Sequence, residues 1–465
     1  MGASTGCKYI EITEETWLLL NKSRIRDERK AMPGKIYRVY EEDSSFYKIR
    51  FGSKYGFVTK DHARAVNNDG PQKIMIAWDS IQGKGENKEH YSKYINKNCM
   101  EQGLDVISPT WFTRAGDANS KDSIKVMEKC DREYVRIAHN HGYEVWGLIA
   151  DFNAGRNYTV YTNESLVNKE IDEIVKYALE YDLDGINIDF EGFGSKCKKV
   201  YNRYVEKLSV ELKWYNFVVS IDITRESDSD AWGKCYDRKE LSKHVDYICF
   251  MAYDENGRLD IVPGSTASFP WVEEGITELL NMGIPKEKLI LGIPFYSRDW
   301  KVTKIKPESK SVVVVEWEGI FGYLQPKDTS EKITINPGDV LDYLGDSGDY
   351  YKIRVCMQEA YIKKNICRLL SPNEEMYKTV EVVPINMKEM KNKIDDSVLI
   401  FDDYSKQNKL IYNDEAEDMH FIWIEDEVSV KMRMDLVKKY NLPGAAAWML
   451  THETYETWKV IKNLK

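Results

Sequence analysis

The chain has 465 residues, 42% of them hydrophobic and 31% charged, with a formal net charge of −10. That length exceeds one ordinary domain and supports two to four. The acidic balance argues against nucleic acid as a partner but leaves a neutral or zwitterionic glycan open. No apolar stretch reaches membrane-spanning length. The eight cysteines (Cys7, Cys99, Cys130, Cys197, Cys235, Cys249, Cys356 and Cys367) are scattered with no C-x-x-C pair, and none of the seven histidines has metal-ligand spacing. No disulfide framework, metal or cofactor is therefore expected, and Cys249, inside an apolar run, reads as an inert core residue. Met1-Gly2-Ala3-Ser4-Thr5-Gly6-Cys7 lacks the apolar core of a signal peptide; Thr5-Gly6-Cys7 would suit a lipoprotein cleavage site behind an apolar stretch.

Residues 8–12, 35–40, 46–51 and 56–58 read as short strands separated by turns, the pattern of a small all-β barrel. The pattern recurs. Pro33-Gly34-Lys35-Ile36 matches Pro337-Gly338-Asp339-Val340, and Phe46-Tyr47-Lys48-Ile49-Arg50 matches Tyr350-Tyr351-Lys352-Ile353-Arg354. Gly56-Phe57-Val58 matches Ala360-Tyr361-Ile362, and all three matches hold one gapless offset of 304 residues. A gapless match of turn, strand and strand predicts a second copy at 309–371. Both copies resemble bacterial SH3-like modules, which implies cell-wall peptides as partners; the alternative is that they only stiffen the chain.

Eight strand-like apolar runs follow the first copy: 74–78, 106–111, 145–151, 185–191, 218–224, 247–253, 289–295 and 444–448. Near-continuous apolar character is what parallel strands buried on both faces require. Helical spacing separates several of them: Ile171, Ile174, Val175, Ala178 and Leu179 before the fourth run, and Tyr201, Tyr204, Val205, Leu208 and Leu212 after it. Eight such repeats predict an α/β (β/α)8 TIM barrel. The gap between runs seven and eight is far longer than a normal connection and must hold structure of its own. The expected layout is therefore a first SH3-like domain at 1–70 and a barrel at 71–308 and 424–465. The second SH3-like domain at 309–371 and a small α+β insertion at 372–423 interrupt the barrel. Within that insertion, 387–394 is helix-like and 397–401, 410–412 and 420–424 are strand-like.

The fourth run reads Asp184-Gly185-Ile186-Asn187-Ile188-Asp189-Phe190-Glu191. In a strand, residues two apart share a face, so Asp189 and Glu191 point the same way while Ile186, Ile188 and Phe190 fill the other face. Two acids at a strand end followed by Gly192 fit the C-terminal rim of a barrel, where catalytic groups sit. A solvated acidic edge is the plainer alternative. The segment resembles the D-G-x-D-x-D-x-E signature of family 18 glycoside hydrolases, which include chitinases and endo-N-acetylglucosaminidases. The resemblance covers roughly 72–300 and 370–465. Ser108-Pro109-Thr110-Trp111-Phe112 and Met251-Ala252-Tyr253-Asp254-Glu255 are similar to the bacterial cell-wall and spore-germination branch. Asn187 departs from the pattern, standing where many chitinases carry Asp, and this questions the usual proton-sharing carboxylate pair.

The resemblance implies a retaining hydrolase of N-acetylglucosamine-containing glycan in which the substrate's own 2-acetamido group is the nucleophile. Glu191 would be the acid/base, its pKa raised by burial near another acid. Asp189 would orient the acetamido group, and Asn187 would donate to Asp189 and hold its rotamer. Asp184 would have a structural task. Tyr253 would contact the acetamido carbonyl oxygen, and Trp448 would floor the reacting subsite. Asp254, Trp78, Trp111, Tyr296 and Arg298 are further candidates for substrate binding, with Asp151, Asn153 and Arg225 at the same rim. The arginines suit either a muramyl lactyl carboxylate or a surface ion pair. The expected substrate is peptidoglycan or spore cortex, with chitin, or binding without catalysis, as alternatives. The expected location is extracytoplasmic, at cell wall or spore.

Overall fold

The computed structural model describes residues 8–67, 72–93, 103–317, 319–394 and 398–464. Met1–Cys7, Cys99 and Ser397 lie outside them. The chain forms two units: 1–253, 269–295 and 426–465 in the first, 254–268 and 296–425 in the second.

The first unit contains the barrel. Its strands, numbered one to eight in chain order, are Ile74–Asp79, Val106–Pro109, Glu144–Asp151, Gly185–Phe190, Val218–Ile223, Tyr247–Met251, Leu289–Pro294 and Gly444–Trp448. Every neighbouring pair is parallel, and strand eight returns to strand one through Gly444↔Ile74, which closes the ring. These are the eight apolar runs expected from the sequence. Helix Glu164–Glu180 illustrates how the outer layer forms: Asn163 caps it by accepting from the Ser165 and Leu166 amides at 3.1 and 3.2 Å. Such a cap is worth about 1 kcal/mol. Val167, Ile171, Ile174 and Ala178 then face the strands as one buried stripe.

The small β module at the N-terminal end belongs to the same unit. Arg29 reaches across 155 residues to Asp184, with Nη2 2.9 Å and Nε 3.2 Å from Oδ1. Ser53 Oγ donates to the Leu183 carbonyl at 3.1 Å, and the Gly52 amide to Glu144 Oε1 at 3.0 Å. Gly52 has φ +54°, and a Cβ there would stand 2.0 Å from Asp184 Oδ1, so only glycine fits.

The second unit combines two sheets. Strands Met376–Asn386, Tyr296–Ile305, Met419–Trp423, Gln407–Asn413 and Val398–Asp402 lie in that order in one sheet. Helix Met387–Lys391 follows the first of them. The barrel boundary is therefore earlier than the expected residue 308. Tyr296–Ile305 leaves the barrel because it pairs antiparallel with Met376–Asn386 from Tyr296↔Asn386 to Ile305↔Met376. Residues 254–268 join this unit as well.

The other sheet is the repeat. Tyr350–Val355, Gln358–Lys363, the turn Lys364–Ile366 and Cys367–Leu370 fall 304 residues after Phe46–Phe51, Lys54–Thr59, Lys60–His62 and Ala63–Val66. Strand order is also shared once Ile36–Arg38 and Glu41–Glu42 are read as one strand, broken at Val39 and Tyr40, equivalent to Val340–Ser347. Gly34 and Gly338 both take positive φ, +82° and +75°. At the position of Gly52 the second copy has Cys356, exposed, followed by Met357.

Candidate active site

Period-two alternation puts Asn187 and Asp189 of strand four on the barrel's interior face. Register sets Asn187 beside Ser220 of strand five and Asp222 beside Cys249 of strand six. Ile186, Ile188 and Phe190 are wholly buried on the opposite face. Phe190 there packs edge-on against Tyr161 and Tyr204, with the Arg114 guanidinium 4.1 Å from its ring centre. The strand is thus locked on its outer side, which fixes the direction of the acids on its inner side.

Asp189 is 7% exposed, and its Oδ1 has no hydrogen-bond partner. Burial pushes its carboxyl up to about 7. A buried acceptor with no donor costs stability, and such atoms concentrate where a substrate supplies the missing group. Glu191 follows directly after strand four and is half-buried. Tyr253, two residues past strand six, and Trp448, the last residue of strand eight, both pack against the interior cluster of Ile76, Trp78, Leu148, Cys249 and Ala446. Trp448 lies 6.2 Å from Trp78, ring centre to ring centre.

Asn187 does not hold Asp189. Its Nδ2 donates to Ser220 Oγ at 2.9 Å and to Asp222 Oδ1 at 2.8 Å; its Oδ1 accepts from Trp78 Nε1 at 2.8 Å and from Ser108 Oγ at 3.3 Å. The orientation is unambiguous, because an indole N–H can only donate and so must meet the amide oxygen. Two expected sugar contacts also change. Trp78 is 1% exposed and supports Asn187 from below, with no face open to a sugar. Trp111 is fully buried: its Nε1 donates to Asn87 Oδ1 at 2.8 Å, and its ring packs edge-on at 5.0 Å from Tyr134. Tyr134 in turn donates to Asp79 at 2.6 Å. Trp111 is core.

The remaining rim candidates in the first unit have structural partners. Asp151 accepts from Arg156 at 2.7 and 2.9 Å, Asn153 caps helix Ala154–Tyr161, and Arg225 pairs with Glu278 at 2.6 Å and Glu274 at 3.2 Å. Asp184 is fully occupied by Arg29, by His139 Nε2 at 2.8 Å and by the Val145 amide at 2.9 Å. In the second unit, Asp254 accepts from both Tyr296 and Arg298, and Arg298 Nε also reaches the Asn256 carbonyl at 2.8 Å.

Sequence reasoning passed over Asp222, Ser220 and Ser108. A signal for the first two was present: Ser220 and Asp222 interrupt an apolar run at i and i+2, which predicts a polar interior face on strand five. The six described cysteines are unbridged. Among the described residues, no group of three or more His, Cys, Asp or Glu could hold a metal, and no helix is long and apolar enough to cross a membrane.

A closed parallel barrel with carboxylates at the C-terminal end of strand four is the architecture of a TIM-barrel enzyme, whose catalytic groups sit at that rim. The chain belongs to the glycosyl hydrolases family 18, whose family model matches residues 66–453. It is similar to the uncharacterized glycosylase YvbX of Bacillus subtilis, 23% identical over 350 residues, which span 75% of this chain and 79% of that protein. Two solved structures share the fold. The chitinase of Chromobacterium violaceum has TM-score 0.58 and 16% identity, covering 84% of this chain and 98% of that one. The Bacillus megaterium spore cortex-lytic enzyme SleL has TM-score 0.57 and 17% identity, covering 87% and 77%. The protein is a family 18 hydrolase.

Proposed function

We propose that the protein is a retaining hydrolase that cleaves β-1,4 bonds of N-acetylglucosamine-containing glycan in peptidoglycan or spore cortex by substrate-assisted catalysis. The observation that carries the reading is Asp189: a buried carboxylate two residues before Glu191, with an unpartnered oxygen and an affinity for a proton near neutrality. An amide N–H of a bound acetamido group is the donor that oxygen lacks. Glu191 then protonates the leaving oxygen, Asp189 aligns the acetamido oxygen for attack on the anomeric carbon, and Tyr253 steadies that oxygen as the oxazolinium forms. Water opens the ring with Glu191 acting as base, and two inversions return the β-anomer. Trp448 supplies the apolar floor. Asp254, with Tyr296 and Arg298 as its own partners, is the candidate ligand for a sugar hydroxyl.

The two β modules support cell wall over chitin. As SH3-like domains they would hold wall peptides, which chitin does not carry, and the protein would act outside the cytoplasm, at wall or spore. SleL, a cortex-lytic enzyme, shares the fold and favours the same substrate class; the Chromobacterium chitinase keeps chitin as the second reading. Digesting purified peptidoglycan, spore cortex and chitin side by side, with mass spectrometry of the products, separates them. N-acetylglucosamine-terminated muropeptides are expected, and cleavage of chitin alone would overturn the assignment. Time-resolved NMR of a soluble oligosaccharide digest should show β-anomer first, de-N-acetylated substrate should resist, and a thiazoline mimic should inhibit.

A further inference from the structure

Strand five carries a carboxylate that no role described so far requires. Asp222 is 1% exposed and sits in register with Cys249. It accepts a hydrogen bond from Asn187 Nδ2 at 2.8 Å. Burying an acid in a barrel interior is costly, and an apolar side chain of similar volume there is often neutral or stabilising. Something must therefore be gained by keeping it. Its like-charged neighbour is Asp189: strands four and five pair Asn187 with Ser220 and Ile188 with Ile221, so Asp189 and Asp222 each stand one residue beyond the last pair on the same interior face. Two carboxylates buried in one interior cannot both ionise cheaply, so the pair retains a proton to higher pH than either would alone.

Asn187 sharpens the point. Both its N–H groups and its carbonyl oxygen are engaged, so it can neither accept a proton nor turn toward Asp189. Strand four thus offers Asp189 no second acid beneath it, and strand five does.

We propose that Asp222 is a positioning residue for Asp189: the two carboxylates hold one proton between them, and Asp222 carries it while Asp189 is the anion that takes the substrate's acetamido N–H. When the sugar leaves, the proton is again shared; none passes to substrate or solvent, so the exchange balances within the pair. The inference rests on the function proposed above. Other ionisable groups face the pair from the surrounding elements. Cys249 lies on strand six, Tyr201 on helix Lys198–Trp214 and Tyr236 on the loop after strand five, with Glu191 beyond Asp189. Burial raises the Cys249 thiol and both phenols well above their ordinary values, so these three stay neutral where the carboxylates titrate.

Carboxyl-carbon NMR of aspartate-labelled protein tests this without substrate. In the wild type, the Asp189 and Asp222 signals should each move in two coupled steps. In Asp222→Asn, Asp189 should titrate in one step with its midpoint lowered by about one pH unit or more. Independent one-step titrations in the wild type, or an unmoved Asp189 midpoint in the variant, would overturn the proposal. The wild-type measurement stands even if the variant does not fold. On a soluble N-acetylated oligosaccharide, Asp222→Asn should lower kcat about 10–100-fold with KM little changed, and shift the pH profile of kcat in the direction of the NMR midpoint. Returning a carboxylate to strand four with Asn187→Asp in the Asp222→Asn background should restore the two-step titration. Coupled titrations in a protein that cleaves no N-acetylated glycan would refute the proposed function and leave the pair intact; cleavage with uncoupled titrations would do the reverse.

Discussion

Arg29 Nη2 stands 2.9 Å from Asp184 Oδ1, with both side chains fully buried. The first acid of the strand-four motif is thereby an anchor for the N-terminal β module and takes no part in the chemistry at the other end of the strand. Asp182, 2.9 Å from Nη1, and Asp27, 3.0 Å away, complete the guanidinium's partners. Removing one partner of a buried ion pair leaves the other charge stranded, at a cost of about 3–5 kcal/mol. Arg29→Ala should lower the unfolding free energy by that amount in urea titrations, with KM of the folded enzyme unchanged. A loss below about 1 kcal/mol would show that the module docks by other contacts.

Glu191→Gln should reduce hydrolysis by about 10²–10⁴-fold or more while leaving the far-ultraviolet circular dichroism and melting temperature at wild-type values. Comparable turnover in the variant would remove Glu191 from the mechanism.

Asp189 links catalysis to stability through pH. Its folded-state pKa, raised by burial to about 7, exceeds the ordinary carboxyl value of 3.8. Between those two values the folded protein binds more protons than the unfolded chain, so this group makes stability fall as pH rises through the window. Asp189→Asn removes the effect. The variant should be more stable than wild type at pH 8, with the gap closing towards pH 4. Equal stability at both pH values would mean that the carboxyl is not buried as described. Asp184 has the opposite sign: burial opposes its ionisation, but the charges of Arg29 and His139 outweigh burial and hold its carboxyl well below the usual range. Its contribution is present above the ordinary carboxyl value and is lost as pH falls below it.

Trp111 and Trp448 should separate cleanly. Trp111→Phe leaves Asn87 Oδ1 buried without its indole donor, at about 1–3 kcal/mol of stability, with KM unaffected. Trp448→Ala should instead raise KM and lower kcat on N-acetylated oligosaccharides. Denaturation midpoints and steady-state kinetics on the same preparations decide it, and a KM effect from Trp111→Phe would return that residue to the substrate site.

Much of this molecule is legible along the chain because its signals are local. Eight apolar runs with helical spacing between them specify a parallel barrel, since strands covered on both faces must be apolar throughout. The i, i+2 spacing of Asp189 and Glu191 specifies a shared face, since side chains alternate across any strand. Tertiary structure decided the rest, because it depends on which distant residues meet. Trp111 sits at a strand end as a sugar platform would, yet Asn87 and Tyr134 enclose it. Tyr296–Ile305 continues the chain out of strand seven, but its hydrogen-bonding edge is taken by Met376–Asn386. Asn187 could have turned to Asp189 two residues away; strand register instead placed Ser220 and Asp222 within reach of its amide. A buried polar group takes the partners that the neighbouring strands present, and no spacing within one strand reveals those.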